Sequence, residues 1–253
     1  MKLFDVHCHL QDQALFPDIK NVMERAAAAG VERFACCGTS SGDWQTVVQL
    51  AEQFPQVIPM VGIHPWFVST GWLKHVQMLE KLLEEHPEAG VGETGLDFQE
   101  KCTNRVEQEE CFAAHLDMAR ELNRPVAVHC VRAWGRLVEI LRVHPAPRVL
   151  LHAFGGAAEL IPELVELNCW FSFCGSAANP QSKRVRASAA AVPNGRLLIE
   201  TDSPDFPLAG CLPPNEPANL AVVVRAIAEL RGIPVEKLAA LTFTNSEQFF
   251  ASV

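Results

Sequence analysis

Short apolar runs alternate with longer amphipathic stretches along almost the whole chain. The runs cover residues 3–7, 33–38, 57–63, 89–93, 125–130, 148–152, 169–174 and 196–201. Most are apolar nearly throughout, as parallel strands covered on the outside by helices are. The stretches between them carry helix signals. Residues 18–29 end at Gly30, a helix stop. Asp43 is expected to cap a helix that reaches Gln53. Residues 73–85 stop before Pro87 and residues 133–143 before Pro145, while residues 106–122 set Phe112, Leu116 and Ala119 on one stripe. Residues 157–167, 182–191 and 218–231 follow, and a last helix over 235–250 begins just after Pro234. Eight strand–helix repeats predict an α/β fold, a closed (β/α)8 TIM barrel with its site at the C-terminal mouth of the strands. No linker, low-complexity tract or repeat divides the 253 residues, so one domain over 1–253 is expected.

The strand ends carry the chemistry. Alternate side chains of a strand share a face, so His7 and His9 point the same way, with Cys8 opposite. Later strand ends supply Glu93, His129, His152 and Asp202. A barrel gathers these positions at one mouth, whereas a doubly wound sheet, the alternative fold, leaves the first and last of them far apart. Imidazole suits zinc, and carboxylates admit magnesium or manganese as well. Six protein ligands on one ion leave no open position for water, so two divalent ions fit better. With Glu93 as a bridge, one ion takes His7, His9, Glu93 and Asp202, and the other takes Glu93, His129 and His152. Ions about 3.5–4 Å apart can hold a phosphoryl oxygen together and activate a shared water.

Net charge is −9, which argues against a broad basic surface for duplex nucleic acid. Bound divalent ions add positive charge that this sum omits, so a local grip on a few phosphates is allowed. Tyrosine is absent, and any base stacking falls to Phe, Trp or His. Nine cysteines, an odd number with no compact framework, suggest reduced thiols. No secretory leader pattern and no membrane-length apolar run is visible, so a cytoplasmic protein is expected.

The segments DVHCHL, GETGLDF, PVAVHC, LHAFGG and ETDSP, in this order and spacing, resemble the TatD-type metal-dependent hydrolases of the amidohydrolase superfamily. Residues 107–116, Gly62-Ile63-His64-Pro65 and Asn245-Ser246 are similar to that family too. The resemblance implies a barrel, a two-metal centre and phosphodiester hydrolysis, often 3′→5′ removal of nucleotides from DNA. Single-stranded DNA or another nucleotide-containing substrate, and a monomeric protein, are expected. Carried over, the metal ligands are His7, His9, Glu93, His129, His152 and Asp202. Asp202 also acts as general base beside Glu93, and His64 binds a substrate phosphate or caps its loop. Many relatives have a second His where this chain has Trp66, which can stack on a base. Further departures are Val131 after His129-Cys130, Gly155-Gly156 after Ala153-Phe154, and no basic residue in 205–211. They leave the metal centre intact and alter its surroundings. The same centre can also hydrolyse a small phosphoester, an ester or an amide, and a non-catalytic metal-binding scaffold is a third possibility.

Other residues have two expectations each. Asp97 either orients a ligand histidine or is a turn residue, and Glu200 is a structural or a catalytic acid. Arg105 and Arg132 are expected at the surface, and Cys8, Cys130, Trp170, Phe171 and Phe173 in the barrel wall. His75, His86, His115 and His144 are expected in solvent.

Overall fold

The computed structural model describes residues 1–208 and 210–251. Ala209, in the loop after Pro204, lies outside the described residues. The strands are β1 (Leu3–Cys8), β2 (Val31–Cys37), β3 (Val57–Val61), β4 (Gly90–Asp97), β5 (Pro125–Val131), β6 (Arg148–Leu151), β7 (Cys169–Phe173) and β8 (Leu197–Ile199). Helices alternate with them: α1 (Ile19–Ala28), α2 (Trp44–Gln53), α3 (Trp72–Glu85), α4 (Arg105–Glu121), α5 (Trp134–Val143), α6 (Ile161–Glu166), α7 (Lys183–Ala191), α8 (Leu220–Arg231) and α9 (Val235–Phe249). The strands pair in parallel in the order of the chain.

The barrel is nearly closed, and its seam lies between β8 and β1. No strand ladder joins the two, but backbone bonds do: Asp202 N–H donates to His7 O and His9 N–H to Ser203 O. The buried Asp5 carboxylate accepts from the backbone N–H and the hydroxyl of Thr201. β8 ends at Ile199, and three residues on Asp202 takes a left-handed φ of 53°.

Two hydrophobic layers follow from the strand alternation. Leu3, Cys8, Phe171 and Phe173 pack outward against the helices, while Phe4, Val6, Met60 and Trp170 fill the barrel interior. The floor is sealed by α9, whose Phe249 and the following Phe250 join the inner cluster. Asn245 on α9 donates to the carbonyls of Asn194 and Leu197 at the start of β8. Phe249 is fully buried and meets Trp170 edge-on at 5.8 Å. Phe249→Ala is expected to destabilise the protein by about 3–5 kcal/mol. Urea unfolding reads this, and a loss under about 1 kcal/mol would show that the floor is not packed as described.

Asp43 stands at the start of α2 but does not cap it. Its carboxylate accepts from the N–H groups of Thr39 and Ser40 and from the Thr39 hydroxyl, so it ties down the loop before the helix. Among the described residues, no helix is long and apolar enough to cross a membrane.

Candidate metal centre

Two strand irregularities aim the central side chains. Between Asp5 and Cys8, β1 spends three residues where β2 spends two, from Phe34 to Cys36. Between Val91 and Thr94, β4 again spends three against two on β5. Each extra residue is a bulge, which re-aims side chains locally. The first turns His7 and His9 into the mouth, and the second does so for Glu93. Glycines make the second possible. Gly92 has a φ of 127°, and a Cβ there would lie 2.7 Å from Ala127 O. A Cβ on Gly95, with a φ of 134°, would lie 2.0 Å from His129 O.

The structure brings together all six residues singled out at the strand ends. Three overlapping groups have ligating atoms within 4.8 Å of one another: His7 with Glu93 and His152, His7 with His9 and Asp202, and His64 with Glu93 and His129. Glu93 lies between them with its two oxygens facing different partners. Oε2 is 3.3 Å from His7 Nε2 and 3.6 Å from His9 Nε2. Oε1 is 2.8 Å from His152 Nε2, 3.2 Å from His129 Nδ1 and 3.5 Å from His64 Nε2. Asp202 Oδ1 stands 3.5 Å from His7 Nε2 and 3.4 Å from His9 Nε2.

Three of the four candidate ligand histidines have an oxygen behind them, His9 through a hydrogen bond and His129 and His152 through a carboxylate that lies near without a hydrogen bond. His9 Nδ1 donates to Cys37 O at 2.7 Å, which leaves the Nε2 lone pair facing the carboxylates. His129 presents Nδ1 inward, while its Nε2 faces Asp97 Oδ2 at 3.5 Å. His152 presents Nε2, and its Nδ1 faces Glu200 Oε1 at 3.8 Å. Such outer partners fix the tautomer and orientation of a metal ligand. Glu200 is itself held by Ala153 N–H and the Ser172 hydroxyl, and Asp97 by the indole N–H of Trp66 at 2.6 Å. Both acids therefore sit behind histidines.

His64 differs from the rest. Its Nδ1 accepts from Trp66 N–H, so its Nε2 carries the proton and faces the mouth as a donor. Burial pushes its pKa down to about 3, which keeps it neutral.

The electrostatics and donor set suit divalent ions. Burial opposes ionisation of Glu93 and Asp202, but the surrounding imidazoles outweigh it. Glu93 is held well below the carboxylate range and Asp202 at about 2. Burial also opposes charge on His9, yet the Asp202 and Glu93 carboxylates raise it to about 9. His7 Nε2 is buried without a hydrogen-bond partner and aims between Glu93 and Asp202, as a ligand awaiting an ion would.

Above the cluster opens a cavity of about 740 Å³, lined by His9, His64, Trp66, Glu93 and Asp202 among others. Trp66 is 54% exposed at its rim.

One expectation fails clearly. His115 on α4 is fully buried rather than solvated. Its Nδ1 donates to Cys111 O, so its Nε2 accepts from Ile63 N–H and fixes the turn that carries His64. Two apolar helix neighbours, Phe112 and Leu116, were the available signal. His75, His86 and His144 are half-buried. Burial pushes the His115 pKa down to about 4, against about 6.5 when unfolded. The unfolded chain therefore takes up this proton first, and stability is lost as pH falls from 6.5 to 4. Against His115→Gln, the stability advantage of the native protein is expected to shrink by on the order of 3 kcal/mol over that window. Urea unfolding of both proteins across the window measures it, and a constant gap contradicts a neutral buried imidazole.

A family model described as TatD related DNase matches residues 4–251. The uncharacterized metal-dependent hydrolase YabD of Bacillus subtilis is 30% identical over 98% of this chain and 98% of the relative. The 3′-5′ ssDNA/RNA exonuclease TatD of Escherichia fergusonii is 31% identical, again over 98% of each chain. The crystal structure of YjjV, a TatD homologue from Escherichia coli, superposes with a TM-score of 0.94 at 29% identity and covers 98% of both chains.

Proposed function

The chain belongs to the TatD related DNase family, and from that premise we propose that this metal-dependent hydrolase is a two-metal 3′→5′ exonuclease of single-stranded DNA. The carrying observation is Glu93, whose two oxygens face two separate sets of imidazoles as a bridging ligand's would. His7, His9, Asp202 and Glu93 would hold one ion, and His129, His152 and Glu93 would hold the other. Two divalent ions, magnesium, manganese or zinc, supply positive charge at the phosphoryl group and lower the pKa of the attacking water when bound.

The chain's own residues do the rest. Asp202, ionised at the floor of the cavity, orients the water and accepts its proton. His64 donates from Nε2 to a non-bridging phosphate oxygen. The water oxygen bonds to phosphorus, the bond to the 3′-oxygen of the remaining strand breaks, and that oxygen takes a proton from solvent. Asp97 and Glu200 keep His129 and His152 in ligating orientation. All these groups come from one chain, so a monomer is expected to be active.

A second reading has one observation in its favour. No Lys or Arg lines the cavity among the described residues, which suits a small phosphoester, ester or amide. Metal-stripped protein with Mn²⁺ restored is expected to shorten labelled single-stranded DNA stepwise from its 3′ end, and Glu93→Ala is expected not to. Intact DNA beside Glu93-dependent hydrolysis of a model ester would instead favour the second reading.

A further inference from the structure

We propose that the site, on the exonuclease reading above, grips only the last one or two nucleotides of a strand. It does so by stacking on Trp66, Phe67 and Phe206, and the rest of the strand is left almost unheld. Four aromatic side chains are exposed among the described residues, and three of them, Trp66, Phe67 and Phe206, line this one cavity. They come from two loops. Trp66 and Phe67 follow β3, and Phe206 follows β8, three strands away around the barrel. Both loops are fixed. Trp66 is pinned through its indole N–H to Asp97. Phe206 has a left-handed φ of 51°, a region non-glycine residues rarely adopt, and Asn215 holds the preceding carbonyl, Asp205 O, at 2.7 Å. A backbone held off its preferred region at a site mouth points to a use for the side chain it presents.

The charge pattern shows what this mouth does not hold. Its lining includes Asp12, Asp43 and Asp205 as well as the central carboxylates, and no Lys or Arg among the described residues. Two cations stand near its edge among the described residues. The Lys101 ammonium lies 4.3 Å over the Trp66 ring, and exposed Arg132 follows Val131. Proteins that track a strand neutralise its phosphates with Lys and Arg, and each such contact on a single strand adds about −0.7 to the salt slope. Two contacts give a slope of about −1.4, and six give about −4. Net charge of −9 repels a long strand further. A cavity of about 740 Å³ is in the range that encloses one small ligand.

The test uses Mn²⁺-loaded protein and labelled deoxythymidine strands, a dinucleotide, a tetranucleotide and one of about 24 nucleotides, between about 50 and 200 mM salt. From tetranucleotide to the longest strand, kcat/KM per 3′ end is expected to change less than about threefold, with a salt slope no steeper than about −1.5. Phe67→Ala and Phe206→Ala, both at half-exposed positions that should leave the fold intact, are expected to raise KM about 5- to 100-fold with kcat nearly unchanged. Trp66→Phe, which keeps a ring but frees Asp97, should raise KM less than either. A tenfold gain with length, a slope near −4, or unchanged KM in both alanine variants overturns the proposal while the exonuclease assignment stands. Inert strands beside Glu93-dependent cleavage of bis(p-nitrophenyl) phosphate overturn both.

Discussion

Glu93→Gln is expected to lower hydrolysis by at least about 10³-fold and to cut bound metal from two equivalents to one or fewer. Glu93 is 2% exposed and faces five imidazoles across its two oxygens. An amide has one acceptor and one donor end, so whichever way it turns, one imidazole set meets an N–H₂ group. The neutral amide also leaves neighbouring imidazoles without counter-charge. Breaking a buried ion pair typically costs about 3–5 kcal/mol, so the metal-free variant should melt lower than the native protein. Phe249 and Phe250 of the barrel floor do not line the cavity, and the fold should persist. Metal analysis and a steady-state assay at saturating Mn²⁺ measure the effect. Activity near the native level would remove Glu93 from the centre.

Asp202→Asn separates binding from chemistry. General base removal typically lowers kcat about 10²–10⁴-fold. The set formed by His129, His152 and Glu93 Oε1 does not use Asp202, so at least one equivalent of metal should stay bound. Stopped-assay kcat against metal content is the measurement. A variant that loses metal completely but regains full rate at high Mn²⁺ would make Asp202 a ligand without a role as base.

Much of the barrel was legible because apolar runs and helix signals alternate without interruption. The structure places eight strands within a few residues of the eight apolar runs. His7, His9, His129, His152 and Asp202 lie together because each stands within two or three residues of a strand end and a barrel has one mouth, whereas Glu93 sits four residues before the end of β4, beside the irregularity between Val91 and Thr94. The bulges in β1 and β4 were not legible. They arise from pairing with β2 and β5, and no local pattern in Asp5–Cys8 or Val91–Thr94 encodes the register of a neighbour. The supports behind the ligands were hidden for the same reason. Cys37 O lies 28 residues from His9 in sequence, and Ser172 lies 28 from Glu200. Asp97 and Glu200 could be placed near the centre but not behind a given histidine. Asp43 looked like a helix cap and ties a loop, because Thr39 and Ser40 offer its carboxylate nearer donors than the helix does. His115 looked solvated because its helix carries many charges, yet the turn at Ile63 claims its ring.

The most direct test of the central claim is anomalous diffraction at the manganese edge from crystals grown with Mn²⁺. The account predicts two peaks about 3.5–4 Å apart, with Glu93 between them. One should lie among His7, His9 and Asp202, and the other beside His129 and His152. A single peak, or two peaks that do not share Glu93, would contradict a bridged two-metal centre.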